Sequence, residues 1–306
     1  MAKINRREFI KAGLTGMAGL SLAGSALAKM KLDLPHETGA NKASGAPADA
    51  VRLGATGLVV SRIAMGTGTI GGNKESNQTR LGMDKFVGMA RHAYDRGVRF
   101  FDMADSYGSQ PFVGEAIKTL PREKITLLSK LWTHPGGPDS GMWVQDNVDR
   151  IRKELGTDYI DILLMHCMMD GNWDENRKHY MDGYSKAKMN GLVKTVGVSC
   201  HDLQALRRAV ENPWVDVIMA RLNPFGTNMD ADTATVNEIL ATAKKNGKGI
   251  VGMKIFGEGK HVSDQEREQS IRFAVTEGNI HALTLGLESI AQVDDAVDRV
   301  MRNVNG

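Results

Sequence analysis

Eight short apolar runs recur in series, at residues 63–66, 98–102, 125–130, 160–166, 195–199, 215–221, 249–254 and 282–285, and stretches with helical spacing lie between and after them. Strands that are apolar on both faces belong in a parallel sheet whose two sides are covered by the intervening helices. The helical faces are visible: Val144, Val148, Ile151 and Leu155 share one side of a helix, as do Leu203, Leu206 and Val210, and Ile290, Val293, Val297 and Val300. Eight such units without a midway linker predict an α/β fold of the closed (β/α)8 TIM-barrel type. An open doubly wound sheet is the alternative, and the missing linker counts against it. Ahead of the first strand, residues 51–63 alternate around Gly54 and Gly57 and predict a short N-terminal β-hairpin.

Several of these runs stop on a polar side chain. The second closes on Asp102, with Tyr107 five residues further into the loop; the third closes on Lys130 and the fourth on His166. In a parallel barrel the carboxyl ends of the strands form one face, so the four converge there. A free phenol titrates at about 10, too high to donate a proton well at neutral pH. An ammonium at Lys130 is expected to lower it, with Asp102 supplying the countercharge that a buried lysine needs. A neutral His166 would donate a hydrogen bond to the same carbonyl oxygen and orient it. Such a set polarises a carbonyl but carries no electrons, so reduction requires an outside hydride carrier. Taken singly, His166 reads as a satisfied core histidine and Asp102 with Lys130 as a structural pair; together at matching strand ends they read as a site. Cys167 follows His166 and strand alternation turns it away from the axis, into the core. Trp132 either walls a substrate pocket or covers the rim. The 17 methionines read as packing residues.

Gly66-Thr67-Gly68-Thr69-Ile70-Gly71 fits G-x-G-x-x-G directly after a strand. The dinucleotide fingerprint needs its last glycine to open a helix, and here polar residues 73–79 intervene. Gly66 and Thr67 are therefore assigned to a loop after the first barrel strand, where they can approach a bound ligand or cofactor.

Four segments carry a family resemblance: Phe101-Asp102-Met103-Ala104-Asp105-Ser106-Tyr107-Gly108, Leu128-Ser129-Lys130-Leu131-Trp132, Tyr159-Ile160-Asp161-Ile162-Leu163-Leu164-Met165-His166, and Gly191-Leu192-Val193-Lys194-Thr195-Val196-Gly197-Val198-Ser199. In order and spacing the chain resembles the aldo-keto reductases over nearly all of residues 50–300. The resemblance implies Tyr107 as proton donor, Lys130 and Asp102 as its tuners and His166 as the orienting residue. It also implies a nicotinamide nucleotide extended across the barrel mouth, NADP(H) by preference and NAD(H) less often. Ser199 matches a residue that holds the nicotinamide carboxamide. Departures lie beside it: Cys200 stands where an asparagine is usual, Met219 where a glutamine is, and Met253 where an aromatic stacks on the nicotinamide. Lys254, Phe256, Gly257, Gly259 and Lys260 follow in a loop suited to the pyrophosphate. Residues 286–292 lack the basic cluster that commonly holds a 2′-phosphate, and Glu288 would repel one. Arg221 shares strand parity with Met219 and is a candidate for holding an acidic substrate or part of the cofactor.

The N-terminal segment has its own pattern. Asn5-Arg6-Arg7-Glu8-Phe9-Ile10-Lys11, a small-residue apolar run and Ala26-Leu27-Ala28 form a removable export signal over residues 1–28. The paired arginines resemble a twin-arginine signal, with Asn5 where serine or threonine is usual, and imply export machinery as a partner and a periplasmic location. A lipid-facing anchor helix is the alternative, but the run holds Gly13, Gly16, Gly19 and Gly24 and is short for a bilayer. Residues 29–48 read as a flexible tether and 49–306 as the barrel. Lys3, Arg6, Arg7 and Lys11 outnumber Glu8 by the chain's whole net charge of +3, so the remainder is balanced. No basic excess is left to attract nucleic acid, and no stable membrane span follows the signal. With only Cys167 and Cys200, no disulfide framework is expected.

Two functions of different class remain: an NAD(P)H-dependent reductase acting on a small aldehyde or ketone, and a nucleotide-binding sensor or subunit with little turnover. A metal-dependent hydrolase is a third reading, and the strand ends lack the His and carboxylate cluster it needs.

Overall fold

The computed structural model describes residues 49–133 and 141–305; the signal, anchor and tether readings fall on residues 1–48 and lie outside them. Strands β1 (Ala50–Arg52) and β2 (Val59–Ser61) pair antiparallel as the expected hairpin. β3 (Ile63–Gly66), β4 (Phe100–Asp102), β5 (Thr126–Leu131), β6 (Ile160–Met168), β7 (Val193–Cys200), β8 (Val217–Arg221), β9 (Gly249–Met253) and β10 (Ala282–Gly286) then form a parallel barrel in chain order. β10 closes onto β3 through Leu283 opposite Ile63 and Gly286 opposite Gly66, which excludes the open sheet.

Side-chain alternation along these strands separates two apolar layers. The outer one lies between sheet and helices and takes Met65, Phe101, Leu127, Leu163, Val198 and Cys200 from the strands. The covering helices supply the predicted stripes: Val144, Val148, Ile151 and Leu155 are all buried. Leu206 and Val210 are buried too, while Leu203, beside the Asp202 N-cap, is half-buried. Ile290 departs from expectation and stays exposed, because it opens its helix one turn before Val293 reaches the core. The inner layer is the barrel interior, with Ala64, Phe100, Leu128, Ile162, Leu164, Val217, Met219, Val251, Met253 and Ala282.

The hairpin stops the amino-terminal end of that interior. Leu53 and Val60 pack into the inner layer. Gly54 turns the chain with φ +56°, and a Cβ there would sit 2.6 Å from the Gly247 carbonyl oxygen. The Ala55 N–H donates to that same oxygen at 2.8 Å. The closed lower end leaves the opposite rim, at the carboxyl ends of the strands, as the open one. Among the described residues no helix is long and apolar enough to cross a membrane.

β6 runs beyond the predicted 160–166 through an irregularity between Met165 and Met168, where Cys167 takes φ +65°. A bulge of this kind re-aims side chains, and it does so at the open rim.

Leu53→Ala is expected to lower unfolding free energy by about 2–5 kcal/mol, the range for emptying a packed leucine site. Urea denaturation would read this as a reduced midpoint, and an unchanged midpoint would show that the hairpin does not seal the barrel.

Candidate active site

Asp102 ends β4, Lys130 is the next-to-last residue of the neighbouring β5, and both are almost wholly buried. The Lys130 ammonium pairs with Asp102 and donates to the Met103 carbonyl oxygen at 2.8 Å. The second Asp102 oxygen accepts from Thr284 Oγ1 at 2.9 Å. Each charge thus has its countercharge and a further hydrogen bond, the condition under which a buried pair is tolerated. Behind Asp102, the Thr67 hydroxyl is buried, donates to the Asp102 carbonyl oxygen at 2.9 Å and shares a hydrogen bond with Ser109. Gly66 abuts β10, where a Cβ would meet Thr284 Oγ1 at 2.9 Å.

Tyr107 lies in a single 3-10 turn, Asp105–Tyr107, after β4. Its hydroxyl is 3.4 Å from His166 Nε2, and the two rings meet edge to face with centroids 5.6 Å apart. The Lys130 ammonium lies 5.1 Å from the centre of the Tyr107 ring. Trp132, half-exposed, meets His166 edge to face at 5.4 Å and so flanks the histidine at the rim. The four residues expected at one face are together.

Their electrostatics partly reverse the sequence expectation. Burial pushes the Tyr107 phenol well above its ordinary 10.0, and the Asp102 carboxylate and Cys167 add to the push. Sequence spacing predicted a phenol made more acidic by Lys130. The ammonium instead points to Asp102 and Met103 and lies against the ring, so Tyr107 keeps its proton. Burial also lowers the Lys130 ammonium below 10.5, against the raising influence of Asp102. The His166 imidazole is held well below 6.5 by burial, then by the charges of Lys130, His201 and Lys254, and is neutral at physiological pH. His166 Nδ1 is buried and has no hydrogen-bond partner among the described residues. An orphaned acceptor costs less than an orphaned N–H, which assigns the proton to Nε2, facing Tyr107.

The residues expected on the cofactor side divide. Ser199, Met219 and Val251 share one inward layer, and Arg221 and Met253 pair one layer nearer the rim. Ser199 Oγ accepts the Cys167 N–H at 2.8 Å. Cys200 does not face the mouth: it is buried in the outer layer, as strand parity beside Ser199 demands. Arg221 is held by Asp230 and donates to the His201 carbonyl oxygen at 2.8 Å. Lys254 takes φ +58° and pairs with Glu258, which takes φ +62°. Phe256 packs against the outer layer, and the carbonyls of Lys254 and Phe256 accept the N–H groups of Gly257 and Gly259. Lys260 reaches Asn228 Oδ1 at 3.5 Å.

Cys167 corrects a sequence expectation. The bulge breaks strand alternation, so the residue is half-buried and in neither apolar layer. Burial raises its thiol, opposed by Arg221 and Lys254. Thr284 and Asp230 were not singled out from sequence. Thr284 alternates with apolar neighbours in β10 and could have been found by strand parity; Asp230 lies in a loop and left no periodic signal. Among the described residues no group of three or more His, Cys, Asp or Glu is placed to hold a metal ion.

A barrel with Tyr, Lys, Asp and His gathered at its carboxyl rim defines a class, and sequence comparison agrees: residues 62–302 match the Aldo/keto reductase family. The chain belongs to that family and is an oxidoreductase. It is 24% identical over 285 residues to the L-galactose dehydrogenase of Arabidopsis thaliana, covering 81% of this chain and 86% of that one. It is 26% identical to the NADH-specific methylglyoxal reductase of Escherichia coli K12 over 64% of each chain. A solved structure assigned to the aldo-keto reductases, from Pseudomonas aeruginosa, superposes with a TM-score of 0.68 at 23% identity, covering 85% of this chain and 97% of that one.

The His166 imidazole is expected to titrate well below the ordinary histidine range, because burial and the neighbouring ammonium groups disfavour its charged form. Nitrogen-15 NMR of labelled histidines, with His166→Gln for assignment, reads this directly; a His166 midpoint near 6.5 would contradict it.

Proposed function

We propose that this protein reduces an aldehyde or ketone to the alcohol with a nicotinamide nucleotide as hydride source and Tyr107 as proton donor. The observation that carries this reading is the meeting of the Tyr107 hydroxyl with His166 Nε2 above the buried Lys130–Asp102 pair. A carbonyl oxygen placed between phenol and imidazole would accept hydrogen bonds from both. As hydride reaches the carbon, negative charge builds on that oxygen and the phenol proton moves onto it. The phenolate left behind is next to the Lys130 ammonium, which favours it at that moment, although burial disfavours it beforehand. Elevated basicity therefore makes Tyr107 a reservoir that does not lose its proton to water, and Lys130 acts on the transition rather than on the resting phenol.

The rim residues fit a nicotinamide nucleotide. Ser199 keeps a hydroxyl proton to donate, Met253 offers a polarisable floor, and Lys254 and Lys260 bring positive charge to a glycine-containing loop after β9. Bound there, the nucleotide supplies the hydride. The family resemblance favours NADP(H), but the segment after β10, where it would put a basic cluster for a 2′-phosphate, carries Glu288 instead, bonded by Asn77 at 2.8 Å. We therefore propose NAD(H) as the better fit, a choice to which the name of the Escherichia coli relative lends support. Met219 and Met253 replace an amide and an aromatic, and this favours the second reading, a nucleotide-binding subunit with little turnover.

Purified protein mixed with NADH and a panel of small aldehydes should lose nicotinamide absorbance, faster than with NADPH, and Tyr107→Phe should slow the loss by at least ~10²-fold. Nucleotide binding without turnover on any aldehyde would favour the subunit instead.

We further propose that residues 1–28 direct export of the folded chain to the periplasm. Arg6→Lys with Arg7→Lys should leave the protein uncleaved in the cytoplasmic fraction; unchanged periplasmic recovery would reject a twin-arginine route.

A further inference from the structure

We propose that the loop following β3, residues 67–76, is a clamp that positions the Tyr107 ring, and that Asp105 is its fastening residue. The inference rests on the proton-donor reading of Tyr107 and names the groups that aim it.

The hydrogen bonds around Tyr107 do little to fix its ring. Among the described residues its hydroxyl meets only His166, at 3.4 Å, and the Lys130 ammonium is engaged by Asp102 and Met103. Backbone walls do the fixing. A Cβ on Gly68 would lie 2.2 Å from Tyr107 Cε2, and a Cβ on Gly71 would lie 2.7 Å from Cδ1. The two glycines therefore border opposite edges of the ring, and a side chain at either would push it out of place. This is the physical content of the G-x-G-x-x-G pattern in this chain: its second and third glycines make room for a phenol, and its first lets β3 pack against β10.

The loop is fastened to the tyrosine's own turn. The Lys74 N–H donates to the Ser106 carbonyl oxygen at 2.9 Å. Gly108, with φ +64°, packs so closely that a Cβ would be 2.0 Å from the Lys74 carbonyl oxygen. Asp105 accepts from the Lys74 ammonium and from Arg150, and Arg150 is itself held by Glu154 at 2.8 Å and Asn147 at 2.9 Å. Asp105 thus ties the loop and the tyrosine's turn to the helix Gly141–Leu155. At the loop's other flank, Gln78 accepts the Thr69 N–H at 3.0 Å and donates to the Thr69 hydroxyl at 2.8 Å.

The loop also holds strain that folding alone does not require. Ile70, Asn73 and Lys74 take φ values of 48°, 51° and 65°, left-handed backbone that is a genuine outlier for a β-branched residue. Ile70 is exposed, so no burial compensates its conformation. Strain kept against a reacting group is a mark of a surface shaped for position. A displacement of about 1 Å in such a group costs on the order of a hundredfold in rate.

The test uses the full chain with carbon-13 labelled tyrosine rings, the Tyr107 signal being assigned with Tyr107→Phe. Gly68→Ala and Asp105→Ala should each shift or broaden the Tyr107 signal and leave Tyr94 and Tyr159 unmoved. Carbonyl-reduction kcat should fall by about tenfold or more with nucleotide KM unchanged, and neither change should add to the loss from Tyr107→Phe. A Tyr107 signal unmoved in folded Asp105→Ala overturns the clamp, as does a rate loss that adds to that of Tyr107→Phe. Should Gly68→Ala fail to fold, the change at the half-buried Asp105 decides alone. Full activity in Tyr107→Phe would instead overturn the proton-donor reading, and the ring signal would still decide the clamp.

Discussion

The buried Lys130–Asp102 ion pair is the constraint on which the rest of the rim depends. Two ions taken out of water cost several kcal/mol each unless their attraction and further hydrogen bonds offset it. Here the offset is drawn from three strands and one loop: Asp102 ends β4, Lys130 lies near the end of β5, Thr284 reaches across from β10, and the Met103 carbonyl takes a second ammonium proton. Because β10 and β4 flank β3, barrel closure is a precondition for the pair, and an open sheet would leave the second Asp102 oxygen without Thr284. The ammonium then sets the state of its neighbours. It helps to hold His166 neutral, so that the imidazole can donate from Nε2, and it lies against the face of Tyr107.

The two ends of the barrel solve different problems. At the lower end Leu53 and Val60 close the interior with apolar volume, and stability is gained by removing surface from water. At the upper end the same alternation brings Ser199, Arg221, Met219 and Met253 inward, where volume is sacrificed for polar groups. This separation explains why the fold was legible from the chain. Apolar runs and helix stripes report burial, and burial decides which residues become strands and on which face they pack. Even the misplaced Ile290 fails only at a helix end, where periodicity continues past the point at which the core begins.

The site was less legible, for two physical reasons. Sequence names the partner of a group but not the direction in which a long side chain points. Lys130 was foreseen beside Tyr107, yet its three donors go to Asp102, Met103 and the ring face, and the phenol rises where it was expected to fall. The second reason is that a single irregular residue flips parity for those after it. Nothing in Met165-His166-Cys167-Met168 marks the bulge that brings Cys167 out of the core and into the electrostatic reach of Arg221 and Lys254. Cys200, on a regular strand, shows the opposite outcome: its parity with Ser199 is kept, and it is buried in the outer layer.

Backbone strain completes the division between the ends. Among the described residues every non-glycine with positive φ lies on the carboxyl side of a barrel strand: Ile70, Asn73 and Lys74 after β3, Cys167 in the bulge of β6, Asn228 after β8, and Lys254 and Glu258 after β9. At the lower end the left-handed turns that follow helices fall on Gly97, Gly156, Gly191 and Gly247, where the conformation costs little. A turn that serves only connection can use glycine. The rim uses left-handed glycines as well, at Gly108, Gly226, Gly257 and Gly259, but its side-chain-bearing left-handed residues each carry a cost of order 1–3 kcal/mol. That cost persists only if the surrounding contacts over-determine it, and the Lys74–Asp105–Arg150 and Lys254–Glu258 pairs are contacts of that kind. The rim is therefore the part of the barrel where local preference yields to chemistry, and the strained positions trace its outline around Tyr107.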